Sequence, residues 1–103
     1  MAYKLKVSER AEQLLDQIIG YVFYELKNPQ AAKAILDDVE ESYDTLRLAA
    51  EAFGLCRDPV LAAKGYHKLI LKKHDYVIIY KISGDEVFVL GIFHMRENYA
   101  KKL

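Results

Sequence analysis

The densest group of reactive side chains in the sequence directly follows its last apolar segment. Between residues 94 and 99 stand a histidine, an arginine, a glutamate and a tyrosine, namely His94, Arg96, Glu97 and Tyr99. Cleavage of RNA through attack of a 2′-hydroxyl needs a base, an acid and cationic support for the phosphate. These residue types can supply all three, and the reaction requires neither a metal ion nor another cofactor.

Each member of this group can be given a role in that reaction. A histidine acts as acid or base near neutral pH, so His94 is a candidate for either role. Arg96 can hold the scissile phosphate through its planar fork, and Glu97 can act as a base. Tyr99 can stack on a nucleobase or donate a proton.

Basic residues on an earlier strand complete the predicted site. Lys68 is assigned to the catalytic group, and the RNA backbone is expected to contact Lys72, Lys73 and His67. Alternation along a strand puts Lys68 and Lys72 on one face and Lys73 on the other. The histidines have no Asp or Cys beside them at ligand spacing, so a zinc site is not expected.

A structural explanation competes with each assignment. His94 alternates with Phe93 along a strand, which also suits a half-buried histidine at a strand end. Arg96 could instead be a surface ion-pair partner, and Tyr99 could anchor the tail by packing. The strand lysines could protect an edge strand from aggregation. The two explanations differ in whether these side chains share one site.

The composition is that of one domain spanning residues 1–103. Hydrophobic residues make up 52% of the sequence, which argues against disorder, and no apolar run reaches the ~18 residues of a membrane span. The N-terminal segment lacks the apolar centre of a signal peptide, so we expect a cytoplasmic protein. Cys56 is the only cysteine, which excludes an internal disulfide or a cysteine-based metal cluster.

Two helices are predicted in the first half of the chain, after a short strand over 3–7. Apolar residues at three- and four-residue intervals predict the first helix over 11–27. Asn28-Pro29 breaks this helix and starts the second one. The second helix is expected to end where a loop begins, and that loop is predicted over 54–65.

Three strands are predicted in the second half, over 66–72, 75–83 and 86–94. Gly84-Asp85 suits the two-residue loop of a tight hairpin, and the short connections imply an antiparallel meander. The tail, 97–103, is expected to add a short helical turn. The predicted fold is therefore α+β, of order β-α-α-β-β-β, with a two-helix hairpin packed on a mainly antiparallel four-stranded sheet.

Charge is distributed unevenly, although the chain is neutral overall. Residues 1–60 carry seven Lys/Arg and eleven Asp/Glu, whereas residues 61–103 carry eight Lys/Arg and four Asp/Glu. A basic half can face an anion while the acidic half stays in solvent. The same charges could also do no more than keep two surfaces soluble.

Three patterns in the sequence resemble the RelE/ParE superfamily of bacterial toxins, which includes plasmid stabilisation proteins. They are NPQAAKAIL over 28–36, Y-x-x-x-Y-x-I over 76–82 and I-x-H-x-R-x-x-Y over 92–99. The order of the predicted elements is also that of the superfamily, so the resemblance spans nearly the whole chain. It implies a toxin of a type II toxin–antitoxin module.

The resemblance implies one of two mechanisms. RelE-like members cleave mRNA in the ribosomal A site with strand lysines, strand arginines and a terminal tyrosine, and matching positions here hold Lys68, Arg96 and Tyr99. Ile70 and Val77 depart from this pattern, because a lysine and an arginine would be expected there. ParE-like members block DNA gyrase and need no such active site.

Ribosome-dependent mRNA cleavage by a metal-independent endoribonuclease, an mRNA interferase, is the favoured hypothesis. Gyrase inhibition without enzymatic activity is the alternative, as is a decayed toxin that only binds its antitoxin. The resemblance implies a cognate antitoxin as partner, together with either the ribosome and its mRNA or gyrase. An acidic amphipathic antitoxin would suit the basic second half of the chain.

Overall fold

The computed structural model describes residues 2–103, and a mixed sheet organises them. Its four strands lie in the order β1-β4-β3-β2, with β1 at Lys4–Val7, β2 at His67–Ile70, β3 at Tyr76–Ser83 and β4 at Glu86–His94. β1 pairs with β4 in parallel, and the other two pairings are antiparallel. The predicted α+β fold with a mainly antiparallel sheet is confirmed.

Two long helices form the predicted hairpin. α1 spans Glu9–Gly20 and α2 spans Pro29–Ala49. The Ser8 hydroxyl and the Asn28 amide oxygen each accept a hydrogen bond from a backbone N–H of the following first turn. Pro29 supplies the fixed φ that suits the first helical position. No helix within residues 2–103 is both long and apolar enough to cross a bilayer.

The first helix differs from its prediction at its C-terminal end. The expected α-helix over 11–27 stops at Gly20, because Tyr21–Glu25 form a π-helical turn. Leu26 N donates to Tyr21 O at 3.1 Å, which is the wider hydrogen-bond spacing of a π-helix. Lys27 then takes a positive φ of 51° and redirects the chain toward α2.

The predicted loop over 54–65 contains a short helix. α3 spans Pro59–Ala63, and the Asp58 carboxylate caps it by accepting two backbone N–H groups. Asp58-Pro59 is therefore a helix cap followed by a first-turn proline. β2 is shorter than its predicted 66–72, because Leu71 N already donates to Tyr76 O across the turn into β3.

Elements cover both faces of the sheet. On one face, α1 and α2 pack against a core that includes Ile78 and Tyr80. On the other face, α3 and the tail, which forms a 3₁₀ turn at Tyr99–Lys102, cover Val77 and Phe93. This double cover explains why β3 and β4 are apolar on both sides. The faces are called the helix side and the tail side below.

Two glycines shape the pairing of β3 with β4. Gly84 has a φ of 60° at the first position of the two-residue loop, as a type II′ hairpin turn requires, so the predicted hairpin is confirmed. A bulge leaves Leu90 without a partner residue in β3. Gly91 follows this bulge, and a Cβ there would lie 2.6 Å from the ring of Phe93.

Candidate functional site

The sheet divides the predicted catalytic residues between its two sides. Lys68 pairs with Ile79, whose side chain belongs to the core of the tail side. His94 pairs with Tyr76, whose side chain packs against the core of the helix side. Because strand side chains alternate between the two faces, Lys68 and His94 leave the sheet in opposite directions.

Lys68 and Tyr99 meet on the tail side in a small cavity, called the lysine cavity. It measures about 130 Å³ and is lined by Lys68, Ile70, Val77, Met95 and Tyr99. Ile70 and Val77 are the two positions at which the nuclease pattern has cations. Among the described residues, Lys68 is therefore the only cationic one that lines the cavity.

Tyr99 is held by packing. Its ring stacks on Phe93 with a centroid separation of 5.7 Å and an interplanar angle of 18°. Burial raises the pKa of the Tyr99 phenol, so this group stays protonated at neutral pH. The tyrosine thus fixes the tail to the sheet, as the structural explanation expects.

Two other predicted residues, His94 and Glu97, line a groove on the helix side, called the tyrosine groove. It measures about 250 Å³ and is lined by Leu14, Gln17, Ile18, Tyr21, Tyr76, Ile92, His94, Glu97 and Lys102. The rings of Tyr76 and His94 meet edge to face at 5.4 Å. Burial, reinforced by the charge of Glu97, raises the pKa of Tyr76, so its hydroxyl remains a hydrogen-bond donor.

The polar side-chain atoms of His94 and Glu97 form hydrogen bonds within the tight turn and tail that follow β4. The Glu97 carboxylate accepts from Lys102 Nζ at 2.6 Å and from His94 N at 3.0 Å. The hydrogen bond from Lys102 lowers the pKa of Glu97 below its ordinary 4.5. Arg96 N donates to His94 Nδ1 at 3.1 Å, which occupies the basic atom of the neutral ring. Neither side chain offers a free base.

Arg96 lines neither cavity. Its side chain is exposed, and within the described range, 2–103, its guanidinium has no hydrogen-bond or ion-pair partner. The guanidinium is therefore available to an external partner, and the ion pair expected by the structural explanation is not formed with any of residues 2–103.

His67 lies on the helix side of β2, opposite to Lys68. Its ring stacks on Tyr80 at 5.3 Å, and its Nδ1 lies 2.9 Å from the carbonyl oxygen of Phe53. The side chain is part of the packing between the sheet and the segment that follows α2.

Lys72 is also paired within the fold. Its Nζ donates to Glu41 Oε1 of α2 at 3.1 Å, in a pair whose side chains are both more than half exposed. The prediction that Lys72 shares a strand face with Lys68 is wrong, because β2 ends at Ile70 and Lys72 reaches toward α2. The two lysines do not form one basic surface.

α2 contains a buried carboxylate, Asp38, that is not among the residues predicted from the sequence. Asp38 is 2% exposed, and its Oδ2 accepts from His74 Nδ1 at 2.8 Å and from Lys73 N at 3.0 Å. Burial would raise the pKa of Asp38, but the hydrogen bonds outweigh it and the pKa falls below 3.8. A polar residue within the apolar stripe of Ile35 and Val39 was the available signal.

These contacts limit the chemistry of both cavities. Neither the lysine cavity nor the tyrosine groove combines a free base, a free acid and a phosphate-binding cation. In the part of the chain that the structure describes, no three His, Cys, Asp or Glu side chains are grouped so that they could hold a metal ion.

The chain is similar to a known protein family and to several solved structures. A family model described as the ParE toxin of type II toxin–antitoxin system, parDE, matches residues 5–99. The chromosomal ParDE toxin–antitoxin system from P. aeruginosa includes a similar structure, with a TM-score of 0.73 and 23% identity over 90% of this chain and 96% of that chain. No curated protein matches the sequence significantly.

Two further solved structures share the fold. The toxin–antitoxin complex RelBE2 from Mycobacterium tuberculosis gives a TM-score of 0.60 at 16% identity, covering 91% of this chain and 99% of that chain. A conserved hypothetical protein from Helicobacter pylori gives 0.57 at 17% identity, covering 94% and 98%. At these identities the likeness establishes the fold alone.

Proposed function

The chain belongs to the ParE toxin family of type II toxin–antitoxin systems, and we propose that it inhibits DNA gyrase by binding it, without cleaving RNA. The observation that carries this proposal is the separation of Lys68 from His94 by the sheet. A nuclease must gather base, acid and cation around one phosphate. Side chains on opposite sides of a packed sheet do not meet this requirement.

The composition of the lysine cavity supports the same proposal. Ile70 and Val77 replace two cations that the nuclease pattern expects, and they leave Lys68 alone beside Met95 and Tyr99. Loss of one preorganised donor to a developing negative charge costs about a hundredfold or more in rate. The loss of both cations removes most of the positive charge that would stabilise the negatively charged phosphate in the transition state.

Gyrase is proposed as the target because ParE-like members of the superfamily block this enzyme. A binding inhibitor needs a stable exposed surface and no free base. Arg96 fits this need, since its guanidinium has no partner among residues 2–103 and lies beyond the rigid end of β4. Arg96 is therefore proposed as a target-binding residue.

A cognate antitoxin is proposed as the second partner. Two of the similar solved structures are described as toxin–antitoxin assemblies. Eight basic and four acidic residues over 61–103 make an acidic antitoxin the electrostatic complement of this half.

Ribosome-dependent mRNA cleavage is a second candidate. It is favoured by one observation, the meeting of Lys68 and Tyr99 in the lysine cavity. In this alternative the ribosome would have to supply the groups that the cavity lacks.

The test is a supercoiling assay with purified gyrase and relaxed plasmid. We expect the wild-type protein to inhibit supercoiling, and Arg96→Ala to raise the half-inhibitory concentration about tenfold or more. Lys4→Ala is the matched control, because Lys4 is an exposed cation that pairs with Glu86 at the start of β4, the end of that strand opposite to Arg96, and it should inhibit like the wild type. Full supercoiling at protein concentrations that stop growth would refute gyrase as the target.

A further inference from the structure

Lys68 is a partly buried cation without a partner inside the fold. Its side chain lies on the tail side and lines the lysine cavity, and among residues 2–103 its Nζ forms no hydrogen bond or ion pair. Lys6 of β1, for comparison, is exposed, and its Nζ lies 3.9 Å from Glu86 Oε2. A cation that has lost part of its water without gaining a partner is destabilising. An external anion bound at Lys68 would offset this cost.

The surroundings of the Lys68 ammonium group are apolar. Ile70, Val77, Met95 and Tyr99 line the rest of the cavity, and the Tyr99 ring is held in place by its stack on Phe93. Ile70 and Met95 are 46% and 44% exposed, so both also present apolar surface to solvent. An ion pair that forms among apolar side chains is shielded from water, which strengthens it.

The charges of the tail side favour a single carboxylate over a nucleic acid. Nucleic acids bind through many phosphates, and their affinity depends on the number of cations that contact them. The described lining residues include one cation, Lys68, and the nearby α3 is capped by a carboxylate, that of Asp58. One ammonium group among aliphatic side chains therefore matches one carboxylate on an apolar stem, which is the chemistry of an Asp or Glu side chain.

The cavity adjoins the residue that is proposed above to bind gyrase. Met95 lines the cavity and directly precedes Arg96, whose exposed guanidinium has no partner among residues 2–103. Two unpaired cations on either side of Met95 are complementary to acidic residues on the surface of one partner. The lysine cavity is therefore continuous with the surface assigned to the target.

We propose that the lysine cavity receives an acidic side chain of gyrase. The carboxylate of that side chain accepts a hydrogen bond from Lys68 Nζ, and the apolar atoms next to it pack on Ile70 and Met95. This inference rests on gyrase as the target in the proposed function, and it adds the site and the chemistry by which the target is bound.

The test is isothermal titration calorimetry of the full-length chain with purified gyrase in the absence of DNA. Lys68→Met keeps the aliphatic stem and leaves the gyrase carboxylate unpaired, so we expect a loss of affinity of about thirtyfold or more. Lys68→Glu brings two carboxylates together and should weaken binding further. Lys6→Met is the matched control, because Lys6 is an exposed strand lysine at the opposite edge of the sheet, and its affinity should stay within about twofold.

The outcomes of this titration separate the possible roles of the cavity. Affinities that fall from the wild type to Lys68→Met to Lys68→Glu, with unchanged circular dichroism and an unaffected Lys6→Met protein, support the inference. Wild-type affinity of Lys68→Met overturns it.

Two further measurements identify what the cavity binds if it is not a gyrase carboxylate. A loss of affinity that occurs only when DNA is added would overturn the inference and assign Lys68 to a phosphate of gyrase-bound DNA. Retained gyrase affinity of Lys68→Met combined with lost mRNA cleavage would overturn it in favour of RNA. A wild-type protein that does not bind gyrase would refute the proposed function itself, and the inference with it.

Discussion

Asp38 shows how one buried charge fixes the connection between β2 and β3. Its carboxylate accepts from His74 and from the backbone of Lys73, so it ties this connection to α2. Its second oxygen, Oδ1, has no hydrogen-bond partner in the described structure. Loss of the hydrogen bonds at Oδ2 would therefore leave the whole carboxylate buried without partners, which would lower the free energy of unfolding. The residue stabilises the edge of the sheet that carries Lys68.

Asp38→Asn should lower the free energy of unfolding by about 1–3 kcal/mol. The amide keeps the size of the side chain but removes the charge that strengthens both hydrogen bonds. Asp37→Asn is the neighbouring control, because Asp37 is exposed and its ion pair with Lys33 is largely screened by water. Urea denaturation of the three proteins measures the difference, and equal stabilities would refute the anchoring role.

The effect of Asp38→Asn should also depend on pH. The pKa of Asp38 is lowered in the folded protein, so its contribution is complete above the ordinary value of 3.8 and is lost as the pH falls through the folded-state value. The stability difference between wild type and variant should shrink as the pH falls below about 3.8. Urea denaturation over this range is the measurement, and a difference that grows with acid would contradict the assignment.

Two substitutions of Tyr99 distinguish the packing hypothesis from the nuclease hypothesis. Tyr99→Ala should lower the free energy of unfolding by about 1–3 kcal/mol, because the stack on Phe93 and the cover of the tail-side core are lost. Tyr99→Phe keeps the ring and should retain both stability and growth inhibition. A stable Tyr99→Phe protein without toxicity would show that the hydroxyl takes part in chemistry.

At the scale of elements, two turns place the contact surfaces. The π-helical turn at Tyr21–Glu25 exposes three aromatic side chains, and the Gly84-Asp85 loop together with the bulge at Leu90 sets the register of β3 with β4. That register puts His94 beside Tyr76 and thereby forms one wall of the tyrosine groove. The backbone geometry of these turns therefore determines on which side of the sheet polar side chains such as that of His94 lie.

Two alanine substitutions test the backbone requirements of these elements. Gly84→Ala should destabilise the protein by about 1–2 kcal/mol, because Gly84 has a φ of 60°. Gly20→Ala should stabilise it by about 0.5–1 kcal/mol, because Gly20 has a φ of −61° and space for a Cβ. Thermal denaturation of both variants is the measurement. A change of the same sign in both would contradict the described geometry.

Elements with local turn signals could be predicted from the sequence, and the placement of side chains across the sheet could not. Asn28-Pro29 and Gly84-Asp85 marked the helix hairpin and the strand hairpin, because caps and tight turns have strict residue preferences. Asp58-Pro59 carries an equally clear cap signal, and it lies inside the segment that was predicted to be a loop. The bulge at Leu90 has no such signal, and it changes which residues of β4 face the helices.

At the scale of the whole molecule, the sheet separates two surfaces with different properties. The tail side holds the lysine cavity with one cation, and the helix side holds the tyrosine groove with several donors. Because each surface is backed by a packed core, neither can contribute side chains to the other. This architecture supports two binding partners better than one active site.

The most direct test of this account is the integrity of mRNA in a purified translation system. Primer extension with and without ribosomes would map any cuts made by the wild-type protein, with Arg96→Ala for comparison. We predict intact mRNA at concentrations that inhibit gyrase, because the required groups lie on opposite sides of the sheet. Ribosome-dependent cuts that disappear in Arg96→Ala would contradict the account and establish the protein as a nuclease.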